Sequence, residues 1–312
     1  MTQLVVPELV RRRASSNGAA GTRWLEELPA VIDELADRWQ LDVGDPFSGG
    51  TAAYVAAATD ASGRACVLKV AMPLDAAERE TFTRSVRAHQ LAAARGCVEL
   101  LAHDEPRAAL LLERLGPDLH ELGLSVSEIL EVIAATLRVF WHPISADSGL
   151  RTGDDQARWL SQFIVSTWHD LGRPCDRTVV DRARRLCDRR AAAFDPERSV
   201  LVHGDAHGWN TLAAGDGSYR FVDIEGLWSA PEHDLGVAMC EYNEPLVAGD
   251  TPALVVARAE LLARRCGVDP GVVWEWGFIE RVTTGLANLR DFDDGSGWVF
   301  LEVAARCLST PI

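Results

Sequence analysis

Four polar residues, one within an apolar run and three after such runs, have the types and order that phosphoryl transfer requires. Lys69 stands in the strand-like segment VLKVAMP, Asp205 and Asn210 belong to the later segment HGDAHGWN, and Asp223 follows in FVDIEG. That reaction needs a carboxylate to orient a hydroxyl and accept its proton, oxygen ligands for Mg²⁺, and a cation on the phosphates. Asp205 can be the base, and Asn210 and Asp223 can be the metal ligands. Lys69 can be the cation.

Lys69 is the only lysine in the chain, and arginine supplies the other fixed positive charges. A compositional bias toward arginine could leave one lysine by chance, so the residues around Lys69 must show whether it has a function. A compact ammonium donates to phosphate oxygens in changing directions, whereas a guanidinium is larger and planar. The glycine-containing segment FSGGTAAYV precedes this strand, and protein kinases place their phosphate-binding lysine after such a hairpin. We therefore predict nucleotide-phosphate contacts from four residues: Ser48, Gly49, Gly50 and Lys69.

The segment HGDAHGWN admits two other interpretations. A metal hydrolase would take four ligands from this region: His203, Asp205, His207 and Asp223. The glycine after each histidine disfavours the helix that would bring the two imidazoles together. A polar turn with self-satisfied side chains is the second interpretation, but such turns rarely lie between two apolar strands with another carboxylate following. Phosphoryl transfer is the interpretation that assigns a role to all four residues named first: Lys69, Asp205, Asn210 and Asp223.

The distribution of charge favours a cationic partner. The net charge is −15, and residues 116–312 carry 30 acidic against 18 basic side chains. Residues 221–257 contain seven acidic residues and no lysine or arginine. This argues against nucleic acid, whose phosphates attract basic side chains, and favours a bound metal or a cationic ligand. A solvated acidic surface is the simpler alternative.

The composition is that of a soluble globular protein. The chain has 312 residues, of which 47% are hydrophobic and 25% charged, and no apolar run approaches the length of a membrane span. Seven cysteines are scattered without a CxxC pair, which predicts reduced thiols. No apolar signal core follows the basic residues near the start. We expect a cytoplasmic protein with no membrane, nucleic-acid or obligate protein partner.

The elements that must position these residues change in character along the chain. Residues 22–39 have apolar positions at helical spacing, and two hairpins follow, one around the turn DASG and one turned at Asp104–Arg107. Residues 75–95 resume helical periodicity. Beyond RLGPDL the pattern is helical, with a capping box predicted at Ser125 and Glu128. Only one β pair interrupts it, residues 199–204 with residues 219–226.

Strands with one helix followed by mostly helices predict an α+β protein of two lobes. We place a β-rich N-terminal lobe at residues 1–113, a hinge at 114–118 and a helical C-terminal lobe at 119–312. A cleft between two lobes is a common ligand site.

The motif HGDxHxxN, followed by a strand and an aspartate, resembles the catalytic loop of the aminoglycoside phosphotransferases, relatives of the protein kinases. Further segments along the whole chain are similar to the branch that contains streptomycin and hydroxyurea resistance kinases. These are RWLEELPAVIDELADRW, VLKVAMP, VELLAHDE, LLLERL, VHGDAHGWN, VDIEG and PEHDLG. The resemblance implies a protein-kinase-like fold and an ATP- or GTP- and Mg²⁺-dependent kinase.

The resemblance also implies residue roles. Asp205 would be the catalytic base, Asn210 and Asp223 would hold Mg²⁺, and a helix-borne glutamate would pair with Lys69; of Glu78 and Glu80 we prefer Glu80. Backbone groups of Glu113–Leu115 would bind adenine. Three residues would support the loop: His203, His207 and Asp234. The sequence departs from the family at Ala206, Trp209 and Ile224, which affects the shape of the site but removes no catalytic group.

The acceptor is predicted to be a cationic antibiotic, most specifically streptomycin, whose two guanidinium groups require carboxylates. Glu241 and Glu244, one helical turn apart, are predicted to share a helix face. Further candidates are Asp291, Asp293 and Asp294 near a helix end, and Trp209 as a cation–π wall. The alternatives are a kinase of a tuberactinomycin peptide, hydroxyurea or a small amine or sugar metabolite, and a non-catalytic nucleotide-binding protein of the same fold.

Overall fold

The computed structural model of the chain describes residues 4–48, 50, 52–72, 75–292 and 295–310. Two compact units divide at Gly116 and Pro117, inside the segment predicted as a hinge. None of the helices among the described residues is both long enough and apolar enough to cross a membrane.

The described residues of the first unit form three helices and one antiparallel sheet. Its elements are α1 (Glu8–Ser16), α2 (Gly18–Trp39), β1 (Asp42–Pro46), β2 (Ala53–Thr59), β3 (Ala65–Ala71), α3 (Ala76–Ala92), β4 (Leu100–Asp104) and β5 (Ala109–Glu113). The strand order is β1-β2-β3-β5-β4, and every neighbouring pair is antiparallel. The predicted first helix and both predicted hairpins are confirmed.

The alternation of β3 determines where Lys69 lies. Cys66, Leu68 and Val70 are buried on one face, where they pack in the same core as Leu28 and other residues of α2. Because successive side chains point to opposite faces of a strand, Lys69 projects from the other face. In register it lies between Val55 of β2 and Leu110 of β5.

The second unit is mainly helical. Its helices are α4 (Val126–Phe140), α5 (Gly153–Asp170), α6 (Arg177–Ala192), α7 (Glu232–Cys240), α8 (Asn243–Ala248), α9 (Thr251–Cys266), α10 (Pro270–Asp291) and α11 (Gly297–Arg306). The capping box at Ser125 and Glu128 is confirmed, because Ser125 Oγ accepts from the Glu128 N–H while the Glu128 carboxylate accepts from the Ser125 N–H.

Short strands carry the polar segments of this unit. They are β6 (Arg151–Thr152), β7 (Val200–Val202), β8 (Thr211–Ala213), β9 (Tyr219–Phe221) and β10 (Leu227–Ser229). The predicted pairing of residues 199–204 with residues 219–226 is wrong, since β7 pairs with β10 and β9 pairs with β8. Strands of three residues leave most of each predicted segment in the turns between them, and those turns contain the polar residues.

Candidate active site

The loop after β7 is organised by His203, which is fully buried. Its Nε2 lies 2.9 Å from the carbonyl oxygen of Val222, and its Nδ1 accepts a 3.1 Å hydrogen bond from the Asp205 N–H. The tautomer that satisfies both contacts carries its proton on Nε2. With both ring nitrogens engaged, His203 cannot be a metal ligand, and the four-ligand metal-hydrolase interpretation is wrong. The described residues contain no group of three or more histidine, cysteine and acidic side chains suited to a metal.

Asp234, near the start of α7, fixes the backbone of the same loop. Its Oδ2 accepts from the His203 N–H at 2.9 Å and from the Trp141 indole at 2.8 Å, while its Oδ1 accepts from the Gly204 N–H at 2.8 Å. Asp234 is fully buried. These three donors stabilise its ionised form, and the Asp234 carboxylate therefore holds the loop that presents Asp205.

Asp205 has two donors on one carboxylate oxygen. Asn210 Nδ2 donates to Asp205 Oδ2 at 2.9 Å, and His207 Nε2 lies 3.3 Å from the same atom. Partial burial raises the pKa of a carboxyl group, but the His207 imidazolium and the hydrogen bonds lower the pKa of Asp205 to about 2. Burial opposes a charged imidazole, yet the Asp205 carboxylate raises the pKa of His207 to about 9. At neutral pH the pair is an aspartate with an imidazolium.

Asn210 and Asp223 fit the ligand set expected for Mg²⁺. The Asn210 amide nitrogen is used by Asp205, where it donates to the backbone oxygen at 3.0 Å as well as to the carboxylate. That orientation leaves the Asn210 carboxamide oxygen as an acceptor. Asp223 follows β9 with its side chain exposed and its backbone at φ +58°. Hard oxygen donors of this kind suit Mg²⁺, which takes one or two protein ligands and keeps several waters.

Glu225 is a neighbour of this site that the sequence did not single out. Its N–H donates to the carbonyl of His203 at 3.1 Å, and its Cβ would lie 3.1 Å from a Cβ built on Gly204. Surrounding protein atoms and the Asp205 carboxylate raise the pKa of Glu225 to about 7. Its spacing two residues after Asp223 was a signal that could have identified it.

The predicted nucleotide-binding residues belong to the first unit. Ser48 and Gly50 lie between β1 and β2, and Gly50 has φ +96°, which only glycine adopts readily; Gly49 lies outside the described residues. Glu113 ends β5, and Leu115 belongs to the irregular segment that follows. The nucleotide contacts of these residues stay predictions.

The pairing of Glu80 with Lys69 stays a prediction, and Glu80 has another partner in the structure. The Glu80 carboxylate accepts from Arg84 one turn along α3 at 2.8 Å, and its side chain is 73% exposed. An i,i+4 pair forms readily on a helix surface. The alternative, Glu78, contacts Arg13 at 3.4 Å.

The structure separates the two acidic residues that were predicted to share a helix face. Helix α7 ends at Cys240, Tyr242 takes a left-handed conformation with φ +57°, and Glu244 lies in the first turn of α8. The prediction of a shared face is therefore wrong. Glu241 is half-buried and Glu244 exposed.

The acidic residues near the end of α10 do not support a second carboxylate site. Asp291 accepts two hydrogen bonds from the neighbouring Arg290, at 2.7 and 2.8 Å. Its charge is therefore already paired. Asp293 and Asp294 lie outside the described residues.

A buried ion pair lies next to Asp234, between helices α7 and α10. His233 precedes Asp234 in α7 and is fully buried, with its Nε2 3.4 Å from Glu280 Oε1 in α10 and its Nδ1 4.0 Å from Asp234 Oδ1. Burial opposes a charged imidazole, but these two carboxylates raise the pKa of His233 to about 9. This pair could not be predicted from local patterns, because its members lie on different helices.

Comparison with known proteins assigns the chain to a family. The model of the aminoglycoside/hydroxyurea antibiotic resistance kinases matches residues 38–295. The streptomycin 6-kinase of Streptomyces griseus is 30% identical over 92% of this chain and 91% of its own length. The hydroxyurea phosphotransferase of Kitasatospora aureofaciens is 30% identical over 91% of this chain and 80% of its own length.

The solved structures define the fold. A thermostable mutant of aminoglycoside phosphotransferase APH(4)-Ia, in a ternary complex with ADP and hygromycin B, superposes with a TM-score of 0.60 at 18% identity, covering 90% of this chain and 99% of that one. The fold is therefore protein-kinase-like. The family match and the similarity to streptomycin 6-kinases make the chain a phosphotransferase that acts on a hydroxyl group. It belongs to the aminoglycoside/hydroxyurea antibiotic resistance kinase family.

Proposed function

We propose that the protein phosphorylates a hydroxyl group of streptomycin, or of a closely similar cationic antibiotic, with ATP as donor and Mg²⁺ as cofactor. The observation that carries this proposal is the arrangement of Asp205 and Asn210, in which one amide orients the carboxylate and keeps its own oxygen available. The substrate follows from the similarity to streptomycin 6-kinase along most of both chains. The nucleotide follows from the ADP complex of the solved phosphotransferase.

The catalytic loop supplies the acceptor side of the reaction. Asp205 Oδ1 is free of the two donors that converge on Oδ2, so it is the oxygen that would accept a hydrogen bond from the acceptor hydroxyl. A carboxylate with a pKa of about 2 is a weak base. Asp205 therefore orients the hydroxyl first and takes its proton late, once bonding to phosphorus has made that proton acidic.

Three further residues would bind the donor phosphates, either directly or through Mg²⁺. Asn210 and Asp223 would hold Mg²⁺, which when bound neutralises charge on the phosphate oxygens. Lys69, on β3 of the first unit, would add a second positive charge there. Its ammonium suits oxygens whose positions change during transfer.

Mass spectrometry of reaction mixtures tests this proposal. Purified protein is incubated with ATP, Mg²⁺ and a panel containing streptomycin, hygromycin B, hydroxyurea and a tuberactinomycin peptide. We expect one added phosphoryl group on streptomycin, located by fragmentation. Phosphorylation of hydroxyurea alone would move the protein to the hydroxyurea branch, and an unmodified panel would contradict antibiotic phosphorylation.

Asp205→Asn is the matched control for chemistry, because it keeps the shape of the side chain and removes the carboxylate. We expect turnover to fall by about 10²–10⁴-fold while ATP-dependent thermal stabilisation is retained. Wild-type turnover in this variant would contradict the assigned role of Asp205.

A further inference from the structure

An exposed tryptophan is held in a fixed orientation beside the catalytic loop. Trp209 lies in the 3₁₀ turn Gly208–Asn210, directly before the proposed Mg²⁺ ligand, and is 53% exposed. Its ring stacks on His120 with centroids 3.5 Å apart and planes inclined by 21°. The stack orients the indole without burying it, so a large aromatic surface next to the transfer site remains open to solvent.

The stack is supported by a third ring. The Tyr242 hydroxyl lies 3.2 Å from His120 Nε2, and the two ring centroids are 5.4 Å apart. The backbone N–H of His120 donates to Asp118 Oδ1 at 2.8 Å. A Cβ at Gly208 would lie 2.3 Å from the Tyr242 oxygen and 2.8 Å from His120 Nε2. Residue 208 must therefore be glycine for the three rings to assemble.

The segment that carries Tyr242 is strained and tightly held. Tyr242 has φ +57°, a conformation that costs a residue with a side chain on the order of 1 kcal/mol. Arg258 donates to the carbonyl oxygens of Glu241 at 2.6 Å and of Tyr242 at 2.8 Å, and the buried Arg281 donates to that of Met239 at 2.9 Å. Two arginines from α9 and α10 thus fix the backbone from which Glu241 and Tyr242 project.

Glu241 is an acidic residue held beside the three rings. It directly precedes Tyr242, whose hydroxyl contacts His120, and Arg258 fixes the backbone of both residues. Burial raises the pKa of Glu241. His207 and Arg281 are the cations that act on the Glu241 carboxylate and oppose this rise, whereas Arg258 binds the backbone oxygen. Burial also lowers the pKa of His120, which favours the uncharged form of the ring that stacks on Trp209.

We propose that Trp209 and Glu241 bind a planar guanidinium group of the acceptor, with the cation stacked on the indole and paired with the carboxylate. That this cation belongs to the acceptor substrate rests on the proposed function. A guanidinium is weakly hydrated, stacks on aromatic rings and forms two parallel hydrogen bonds to a carboxylate. An ammonium is strongly hydrated and lacks the planar face. The site therefore selects acceptors that carry guanidinium groups.

Binding to the full-length protein can be measured without turnover. Methylguanidinium and methylammonium are titrated separately while the tryptophan indole N–H signals are followed by ¹H–¹⁵N NMR, with the signals of Trp209 and Trp298 assigned from their Phe variants. Trp298, in α11, is 52% exposed and is the matched control. We expect methylguanidinium to shift the Trp209 signal, with at least about fivefold weaker binding of methylammonium and in Glu241→Gln.

Three outcomes would overturn the site: equal shifts of the Trp209 and Trp298 signals, equal affinity for the two cations, or unchanged affinity in Glu241→Gln. Kinetics separate the site from the proposed function. In Trp209→Leu the KM for streptomycin should rise about tenfold, whereas in Trp298→Leu it should not change. An unchanged KM in Trp209→Leu refutes the site and leaves the function standing. A selective Trp209 response in a protein that does not phosphorylate streptomycin refutes that substrate and leaves the site standing.

Discussion

The buried His233–Glu280 pair predicts that the second unit loses stability as the pH rises above neutral. The pKa of His233 is about 9 in the folded protein, against 6.5 for the free group. A raised histidine pKa means that the folded state holds this proton more tightly than the unfolded state does. The stabilisation is therefore complete below pH 6.5 and is lost as the pH rises through about 9.

The size of the effect follows from the two pKa values. Each pKa unit corresponds to about 1.36 kcal/mol, so the difference between about 9 and 6.5 contributes on the order of 3 kcal/mol. His233 is fully buried, so solvent screening removes little of this energy. That amount is a substantial part of the ~5–15 kcal/mol by which domains are stable.

Urea unfolding monitored by tryptophan fluorescence measures the loss. The free energy of unfolding is determined from about pH 6 to about pH 9.5 for the wild type and His233→Gln. We expect the advantage of the wild type to shrink by on the order of 3 kcal/mol across this range. Glu280→Gln, which keeps the imidazole but removes one of its two carboxylate neighbours, should reduce the pH dependence, whereas the exposed His169→Gln should leave it unchanged. An advantage that stays constant or grows with pH would refute the ion pair.

Three further predictions concern single side chains. Lys69→Arg keeps the positive charge but should lower kcat/KM by at least about tenfold, because a planar guanidinium replaces a compact ammonium; steady-state kinetics that match the wild type would contradict this. His207→Gln removes the cation that lowers the pKa of Asp205, so the acidic limb of the kcat/KM profile should move to higher pH, and an unmoved limb would argue against the pair. Gly236→Ala places a Cβ 2.4 Å from Trp276 Cβ and should destabilise the protein by about 1–3 kcal/mol in urea, whereas Gly215→Ala, in open space, should be neutral.

Local patterns in the sequence were sufficient for the elements that carry the chemistry. The apolar run around Lys69 and the DASG turn before it predicted its strand, because both signals lie within a short segment of the chain. The capping box at Ser125 and Glu128 was predictable for the same reason, since both partners lie within one turn of chain. The motif from His203 to Asn210 is likewise a contiguous segment.

Tertiary contacts account for what the sequence did not reveal. No glycine or proline separates Glu241 from Glu244, and the helix breaks there while Arg258 and Arg281 take its last carbonyl oxygens. The stacking of His120 on Trp209 joins residues far apart in the chain. Neither feature leaves a periodic signal, because the partner that creates it lies on another element.

The length of helix α7 determines the separation of Asp234 from Glu241. Near its first residue Asp234 holds the loop of Asp205, and its last residue is followed by Glu241. One residue added to an α-helix advances it by about 1.5 Å and turns it by about 100°. Because every residue of α7 is buried, a single insertion would turn Glu241 and also break the packing that places Asp234. The length of α7 therefore couples the position of Glu241 to that of the catalytic loop.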